Sequence, residues 1–232
     1  MDSGEYWRLF HLVKGDVEAA IGCSSTYLTI NRLAAADPKV WQKYNGHADF
    51  WRTTAYGLQT GLFMAFGRIF DDSKTAFNIK NLVHETIEHP GFFSKTEFRK
   101  RMREVWKIYG DQPDPELVAK RVAEAWEPTR KELEVLRTEL APYPKKFRAV
   151  YEPIRDEYFA HRSKTNESGI EELFSKARID EAAEILRFVY GLVCGIEQMA
   201  MDATPPGQWY GEDYDKLYRI YETATENFVR GL

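Results

Sequence analysis

The chain has 232 residues, of which 44% are hydrophobic and 14% aromatic, a composition that supplies a core and excludes an intrinsically disordered protein. Its formal net charge of −4 excludes a uniformly basic coat for nucleic acid but is compatible with a local basic patch. The sequence has no signal-peptide pattern and no apolar run of roughly 18 residues, so we expect a cytoplasmic protein with no membrane partner.

The first third of the chain predicts three helices. Apolar residues from Tyr6 onward recur at three- and four-residue spacing and predict a helix that continues through Leu33. Asp37 and Pro38 form the cap and first turn of the next helix. Residues 47–71 are apolar on more than one face, which predicts a buried central helix. Three glycines in it would permit close helix approach: Gly57, Gly61 and Gly67.

The middle of the chain predicts further helices separated by clear stop signals. A short helix ends at the His-Pro-Gly triplet 89–91, and Ser94 with Glu97 forms a capping box for the next. Asp114, followed by proline, opens a long helix through Leu140 that we expect to bend at Pro128.

The last third continues the same pattern. Two prolines, at 142 and 144, precede a helix over "KKFRAVYEPIRDEYFAHR", and the polar loop "SKTNESG" ends it. Another helix starts at Asp180, and a final amphipathic helix follows the "TPPGQWYG" loop. No segment alternates with the period of a strand. We therefore predict one all-α domain over residues 1–232, with a core at about 40–200 and peripheral helices at both termini.

Several common site chemistries lack their motifs. In "VHETIEHP", His84 and Glu88 share a helix face, but the spacing matches no zinc-protease signature, so we expect no metal. Phosphate-binding and serine-hydrolase motifs are absent. The two cysteines, Cys23 and Cys194, are too few for a disulfide framework and have apolar neighbours, which indicates buried, unreactive thiols.

A basic helix is a second candidate surface. The segment "KTEFRKRMREVWK" carries six basic residues against two glutamates, with Phe98, Met102 and Val105 on its inward side. A solvated helix face is the simpler interpretation, and a patch that contacts phosphate is the alternative.

The segment "YEPIRDEYFAHRSKTNES", residues 151–168, concentrates ionisable side chains at a predicted helix end. Arg155 and His161 are six residues apart. In an ideal α-helix their directions differ by about 120°, so they share a site only where the helix bends, loosens or ends. Glu157 lies four residues before His161, and on spacing alone a Glu157–His161 pair on a solvated helix end is favoured.

Resemblance to a known family changes that weighting. Arg155-Asp156, four residues and His161 resemble the R-x(4–6)-H signature of the HEPN superfamily. Within it, "RDEYFAHRSK" resembles the AbiU-type branch of abortive-infection proteins, where an Arg-Asp pair leads to Ala-His-Arg. The aromatic-rich segment ending near Arg68 is similar to the central helix of that branch. The resemblance covers about residues 40–200 and implies a HEPN-like up-and-down helical bundle.

The resemblance also implies an activity. HEPN-type endoribonucleases, often toxins or phage-defence effectors, cleave RNA through attack of the 2′-OH and need no metal or cofactor. Histidine can exchange protons at neutral pH, and arginine forks onto phosphate oxygens. The catalytic residues implied here are Arg155, His161 and Asp156, with Asp156 orienting either of the other two. The implied RNA contacts are Arg162, Lys164 and Tyr158.

Partners follow from the same resemblance. One arginine and one histidine are too few for the three roles that cleavage needs, so a homodimer with two facing motifs is expected. An antitoxin or a nucleotidyltransferase would act in trans, because the chain carries no nucleotidyltransferase segment. The alternative function is a non-catalytic HEPN-like interaction module, for a protein partner or as a regulatory dimer, in which Arg155 and His161 are structural or vestigial.

Overall fold

The computed structural model describes residues 1–108, 114–160, 167–205 and 212–231. Within these ranges the secondary structure is helical and contains no strand. The predicted all-α class is therefore confirmed. None of the helices in the described ranges combines the length and apolar character needed to cross a bilayer.

The helices follow one another with short connections. The first half of the chain contains α1 (Ser3–Ala36), α2 (Pro38–Gly46), α3 (Ala48–Ile69), α4 (Ile79–Glu88), a 3-10 turn (Pro90–Phe93) and α5 (Lys95–Ile108). The second half contains α6 (Pro115–Glu124), α7 (Arg130–Leu140), the composite helix described below, α10 (Glu167–Ser175), α11 (Ile179–Met201) and α12 (Glu212–Gly231).

The main hydrophobic cluster is built around α1, which we had expected to be peripheral. Tyr6, Phe10, Val17 and Ile21 of α1 are fully buried and pack with side chains of α3, α4, α7 and α11. The Tyr6 hydroxyl forms a buried hydrogen bond of 2.7 Å with Thr86 of α4. The expected peripheral position is therefore wrong for the N-terminal helix, because its apolar stripe faces the core over several turns.

The predicted central helix corresponds to α3, which runs antiparallel to α1. Two contacts fix this direction, since Arg68 pairs with Asp16 while Gln59 donates to Tyr27. The C-terminal part of α3 is buried, but Phe50 and Tyr56 in its first half are 57% and 43% exposed. The segment is therefore central only over its second half.

Two small clusters extend the main core. One joins the C-terminal end of α1 to α2, α3 and α12 through Leu33, Val40, Trp51 and Val229. The other joins α5 to α6. The expected long helix from Asp114 to Leu140 is in fact two helices, α6 and α7, because Pro128 cannot donate to a helix ladder. A capping box between Thr129 and Glu132 then starts α7.

The helix that carries the candidate motif, here called the motif helix, spans residues 142–160. It consists of α8 (Pro142–Lys146), a π-helical segment (Phe147–Tyr151), one short turn α9 (Glu152–Ile154) and a second π-helical segment (Arg155–Ala160). Pro153 lacks an N–H and its ring crowds the carbonyl one turn back, which favours the wider turn. The backbone N–H of Glu152 accordingly donates to the carbonyl of Phe147, five residues earlier.

The motif helix packs antiparallel against α3 through aromatic rings. Phe63 stacks on Phe159 at a centroid distance of 4.8 Å, and Phe70 stacks on Phe147 at 5.1 Å. The predicted packing of the motif helix beside the central helix is present in these contacts. Helix α10 was not predicted, because its polar first residues read as a continuation of the loop.

Candidate functional site

Arg155 is the best-defined residue of the candidate site. Its side chain is 21% exposed, and its Nε donates to Asp156 Oδ1 at 2.6 Å. The guanidinium carbon lies 5.9 Å from the centroid of the Phe147 ring, within the range of a cation–π contact. The guanidinium is therefore held on one edge by a carboxylate and on one face by an aromatic ring.

Asp156 is one of two acids that lie beside Arg155. Among the described residues its carboxylate pairs with Arg155, with Nη2 also 2.6 Å from Oδ1. Glu152, one turn earlier, places Oε1 3.7 Å from the same Nη2. The two acids thus draw the guanidinium along the motif helix. Asp156 itself is 43% exposed, so water weakens the attraction.

Helix α3 supplies the wall opposite Asp156. A Cβ added to Gly67 would lie 2.5 Å from Arg155 Cδ and 2.6 Å from Nη1, so the arginine lies directly on the glycine. The three glycines of α3 differ in what lies next to them. Gly61 faces Cys23 of α1, with a Cβ placed 2.8 Å from its Sγ, whereas Gly57 has nothing within 4 Å.

Tyr158 is a half-buried packing residue in the described structure. Its ring meets Phe159 and Phe174 edge-on, at centroid distances of 4.8 and 5.2 Å. Phe174 belongs to α10, so Tyr158 joins the end of the motif helix to that helix. The expected contact of Tyr158 with RNA stays a prediction, and only the part of the ring that α10 leaves accessible is available for it.

Three of the predicted site residues lie outside the described residues. His161, Arg162 and Lys164 fall in the interval 161–166. The structure therefore places Arg155, Asp156 and Tyr158 on one π-helical segment that leads to position 161. Because this segment is not α-helical, the ideal angular separation of Arg155 and His161 does not apply to it.

Comparison with protein families gives a match to the HEPN-type family described as AbiU2, over residues 8–215. The chain belongs to the AbiU2 family. The match includes the whole motif helix, α3 and most of α1, so it supports the family resemblance based on the Arg-Asp motif. Searches among curated proteins and among solved structures each found no significant match.

The motif helix of this AbiU2-family protein is tied to the loop after α3 by a second arginine. Arg148 Nη1 donates to Asp72 Oδ2 at 2.7 Å, and Lys80 of α4 donates to the other carboxylate oxygen. Hydrogen bonding from Lys80, with further attraction from Arg148, lowers the pKa of Asp72 below its usual range. This bridge fixes the position of the motif helix relative to α4, and it does so through Arg148 rather than through Arg155.

The basic helix α5 is largely compensated within the fold. Arg101 points inward: its Nε donates to the carbonyl of Ala200 and its Nη1 to that of Phe92, both at 2.9 Å. Burial lowers the pKa of Arg101. Arg99 and Arg103 are exposed. The three lysines contact Ala123, Glu97 and Glu104 respectively: Lys95, Lys100 and Lys107. A solvated face with one structural arginine fits these contacts better than a continuous phosphate patch.

The histidine-rich segment forms pairs rather than a cluster. His89 Nε2 lies 3.1 Å from the carboxylate of Glu85. The carboxylate of Glu88 binds Arg130 at 2.6 Å, and His84 Nδ1 lies 4.0 Å from the same carboxylate. In the part of the chain that the structure describes, no three histidine, cysteine or acidic side chains are grouped for metal binding.

The two cysteines have the environment expected of unreactive thiols. Both are half-buried and free. Burial raises the pKa of Cys194 to about 11, and it raises the pKa of Cys23 as well. A thiol with a raised pKa is mostly protonated at neutral pH and is a poor nucleophile.

Proposed function

We propose that this AbiU2-family protein is a metal-independent endoribonuclease of the HEPN type that acts as a toxin or phage-defence effector. The observation that carries the proposal is the constrained position of the Arg155 side chain. It is partly buried and held by Asp156 against Gly67, six residues before His161. A guanidinium held in this way is already oriented, and donors oriented in advance stabilise developing negative charge most effectively.

In the proposed reaction, the 2′-hydroxyl of a ribose attacks the adjacent phosphate. His161 exchanges the proton, because an imidazole has a pKa near neutrality. Arg155 stabilises the negative charge of the phosphorane through its remaining N–H donors, since a guanidinium has five of them. The products are a 2′,3′-cyclic phosphate and a 5′-hydroxyl. Arg162, Lys164 and Tyr158 would contact the RNA on either side.

The proposed enzyme is a homodimer. Cleavage needs a proton acceptor, a proton donor and charge stabilisation, and one histidine cannot act as acceptor and donor at once. A second copy of the motif supplies the missing group. Tyr56 of α3 supports a contact surface near the motif, since it is 43% exposed and lies 5.9 Å from the ring of Phe159. An antitoxin or a nucleotidyltransferase is the proposed partner in trans.

The activity is tested by incubating purified protein with a labelled RNA in EDTA. Wild-type protein should release fragments with 2′,3′-cyclic phosphate ends. His161→Ala should lower the rate by about 10²–10⁴-fold, the range for loss of general acid–base catalysis. Absence of cleavage by wild type across RNAs, salt concentrations and protein concentrations would refute the proposal.

A second candidate is a non-catalytic interaction module. The observation that favours it is the proximity of two acids to Arg155, because Asp156 and Glu152 oppose the approach of a phosphate. In that case Arg155 contributes to folding, and its substitution should lower stability with no RNase activity to lose. Unfolding curves of Arg155→Lys and His161→Ala therefore separate the two functions.

A further inference from the structure

Gly67 occupies a helical position where glycine lowers helix stability and where the backbone conformation does not require glycine. It lies inside α3, in ordinary helical backbone, where glycine is less favourable than alanine. A Cβ at this position would come within 2.5 Å of Arg155 Cδ, 2.6 Å of Nη1 and 3.3 Å of Cζ. Real Cβ atoms essentially never approach another heavy atom closer than 3.0 Å. Arg155 can therefore occupy its position only because residue 67 has no side chain.

All three of the nearest atoms belong to one side chain. No backbone atom is among them, so an added Cβ would displace the arginine rather than separate the two helices. The displaced guanidinium would leave Asp156 Oδ1, which now accepts from Nε at 2.6 Å. It would also leave the ring of Phe147.

We propose that Gly67 is a positioning residue for Arg155: its bare backbone is the surface on which the guanidinium is held in register with Asp156. The inference rests on the proposed function only in its consequence for RNA cleavage. Its structural part, the position of the arginine, is measurable in protein that cuts no RNA.

The substitution Gly67→Ala tests the proposal, and Gly57→Ala is its matched control. Gly57 lies in the same helix with nothing within 4 Å of an added Cβ, so the same chemical change there meets no neighbour. The first readout is the Nε–Hε NMR signal of Arg155, identified as the one missing from Arg155→Lys. The second is the rate of RNA cleavage in EDTA.

Gly57→Ala should leave both readouts at their wild-type values. Gly67→Ala should shift the Arg155 signal and lower the cleavage rate by about 10- to 100-fold, because small displacements of a positioned group have effects of that size. Added to Arg155→Lys, the alanine should cause little further loss, since both changes act on the same group.

The other possible outcomes of these experiments also test the proposal. An unchanged Arg155 signal in folded Gly67→Ala would overturn the proposal. If wild type cleaves no RNA, the proposed function fails, while the NMR signal still tests the positioning. If Gly67→Ala does not fold, the double variant with Arg155→Ala should fold, because the three nearest atoms have been removed. Failure of that double variant would overturn the proposal.

Discussion

The substitution Arg155→Lys separates chemistry from stability most sharply. Lysine keeps the charge but has no planar fork to match two phosphate oxygens. If Arg155 stabilises the phosphorane, cleavage should fall by about 10²–10³-fold, the range seen when one donor to a developing oxyanion is removed.

The cost in folding free energy follows from the contacts of Arg155. Its ion pair with a neighbouring carboxylate that is 43% exposed is worth about 0.5 kcal/mol. Its contact with the Phe147 ring at 5.9 Å adds about 0.5–1 kcal/mol, and lysine keeps part of both. A loss of about 1 kcal/mol from a stability of about 5–15 kcal/mol leaves the protein almost entirely folded. Unfolding therefore cannot produce a 10²-fold loss of activity, which is about 2.7 kcal/mol in the barrier.

The assay combines single-turnover cleavage of a short RNA with urea unfolding followed by circular dichroism. Arg148→Lys is the matched control, since Arg148 lies on the same helix, is 43% exposed and binds Asp72 rather than the proposed site. It should change cleavage less than threefold by the same reasoning on exposed pairs. The reasoning is wrong if Arg155→Lys retains the wild-type rate, or if its loss of stability exceeds about 3 kcal/mol and matches the loss of activity.

Three further predictions follow from the described contacts. Asp156→Asn keeps an acceptor for the arginine, so cleavage should fall less than in the arginine variant, by the same single-turnover assay. Arg101→Ala removes two hydrogen bonds from a charged donor to partly buried carbonyls and should lower the free energy of unfolding by about 2–4 kcal/mol, whereas the exposed Arg103→Ala should stay within about 0.5 kcal/mol in urea titrations. Asp72 has a lowered pKa, so its stabilising contribution is present above the usual carboxyl pKa of about 3.9 and is lost as pH falls below it. Asp72→Asn should therefore cost at most about 1 kcal/mol at pH 7, and urea midpoints should converge with wild type as the pH falls through the lowered pKa of Asp72.

Local signals in the sequence were sufficient to place many helix ends. Asp37 caps α2, Asp114 caps α6, and both are followed by proline, as the sequence predicted. These caps are local interactions between residues two positions apart, so no tertiary information is needed. The start of α10 at Glu167 was missed because a polar segment can be helical when a few apolar residues, such as Phe174, pack on a neighbour.

The candidate site was predictable in its residue types but not in its contacts. The sequence identified Arg155 and Asp156 by resemblance, and it identified Gly67 as one of three glycines that permit close approach. It did not show that Arg155 is the group that approaches Gly67. That contact depends on how the motif helix lies on α3. Pro153 alters the backbone of the motif helix itself by favouring π-helical turns.

The local charge bears on how the proposed RNase would bind RNA. Within residues 152–157, Arg155 is accompanied by three acids, at 152, 156 and 157, and the whole chain has a net charge of −4. A single copy of this segment therefore attracts a polyanion weakly. Arg162 and Lys164 follow later in the sequence and would add two positive charges to those of the motif. In a dimer with facing motifs, both copies would contribute them to one cleft, and low-dielectric walls would strengthen their attraction for phosphate. Binding of RNA and completion of the catalytic set would then depend on the same association, which makes the proposed activity depend on protein concentration as well as on the motif.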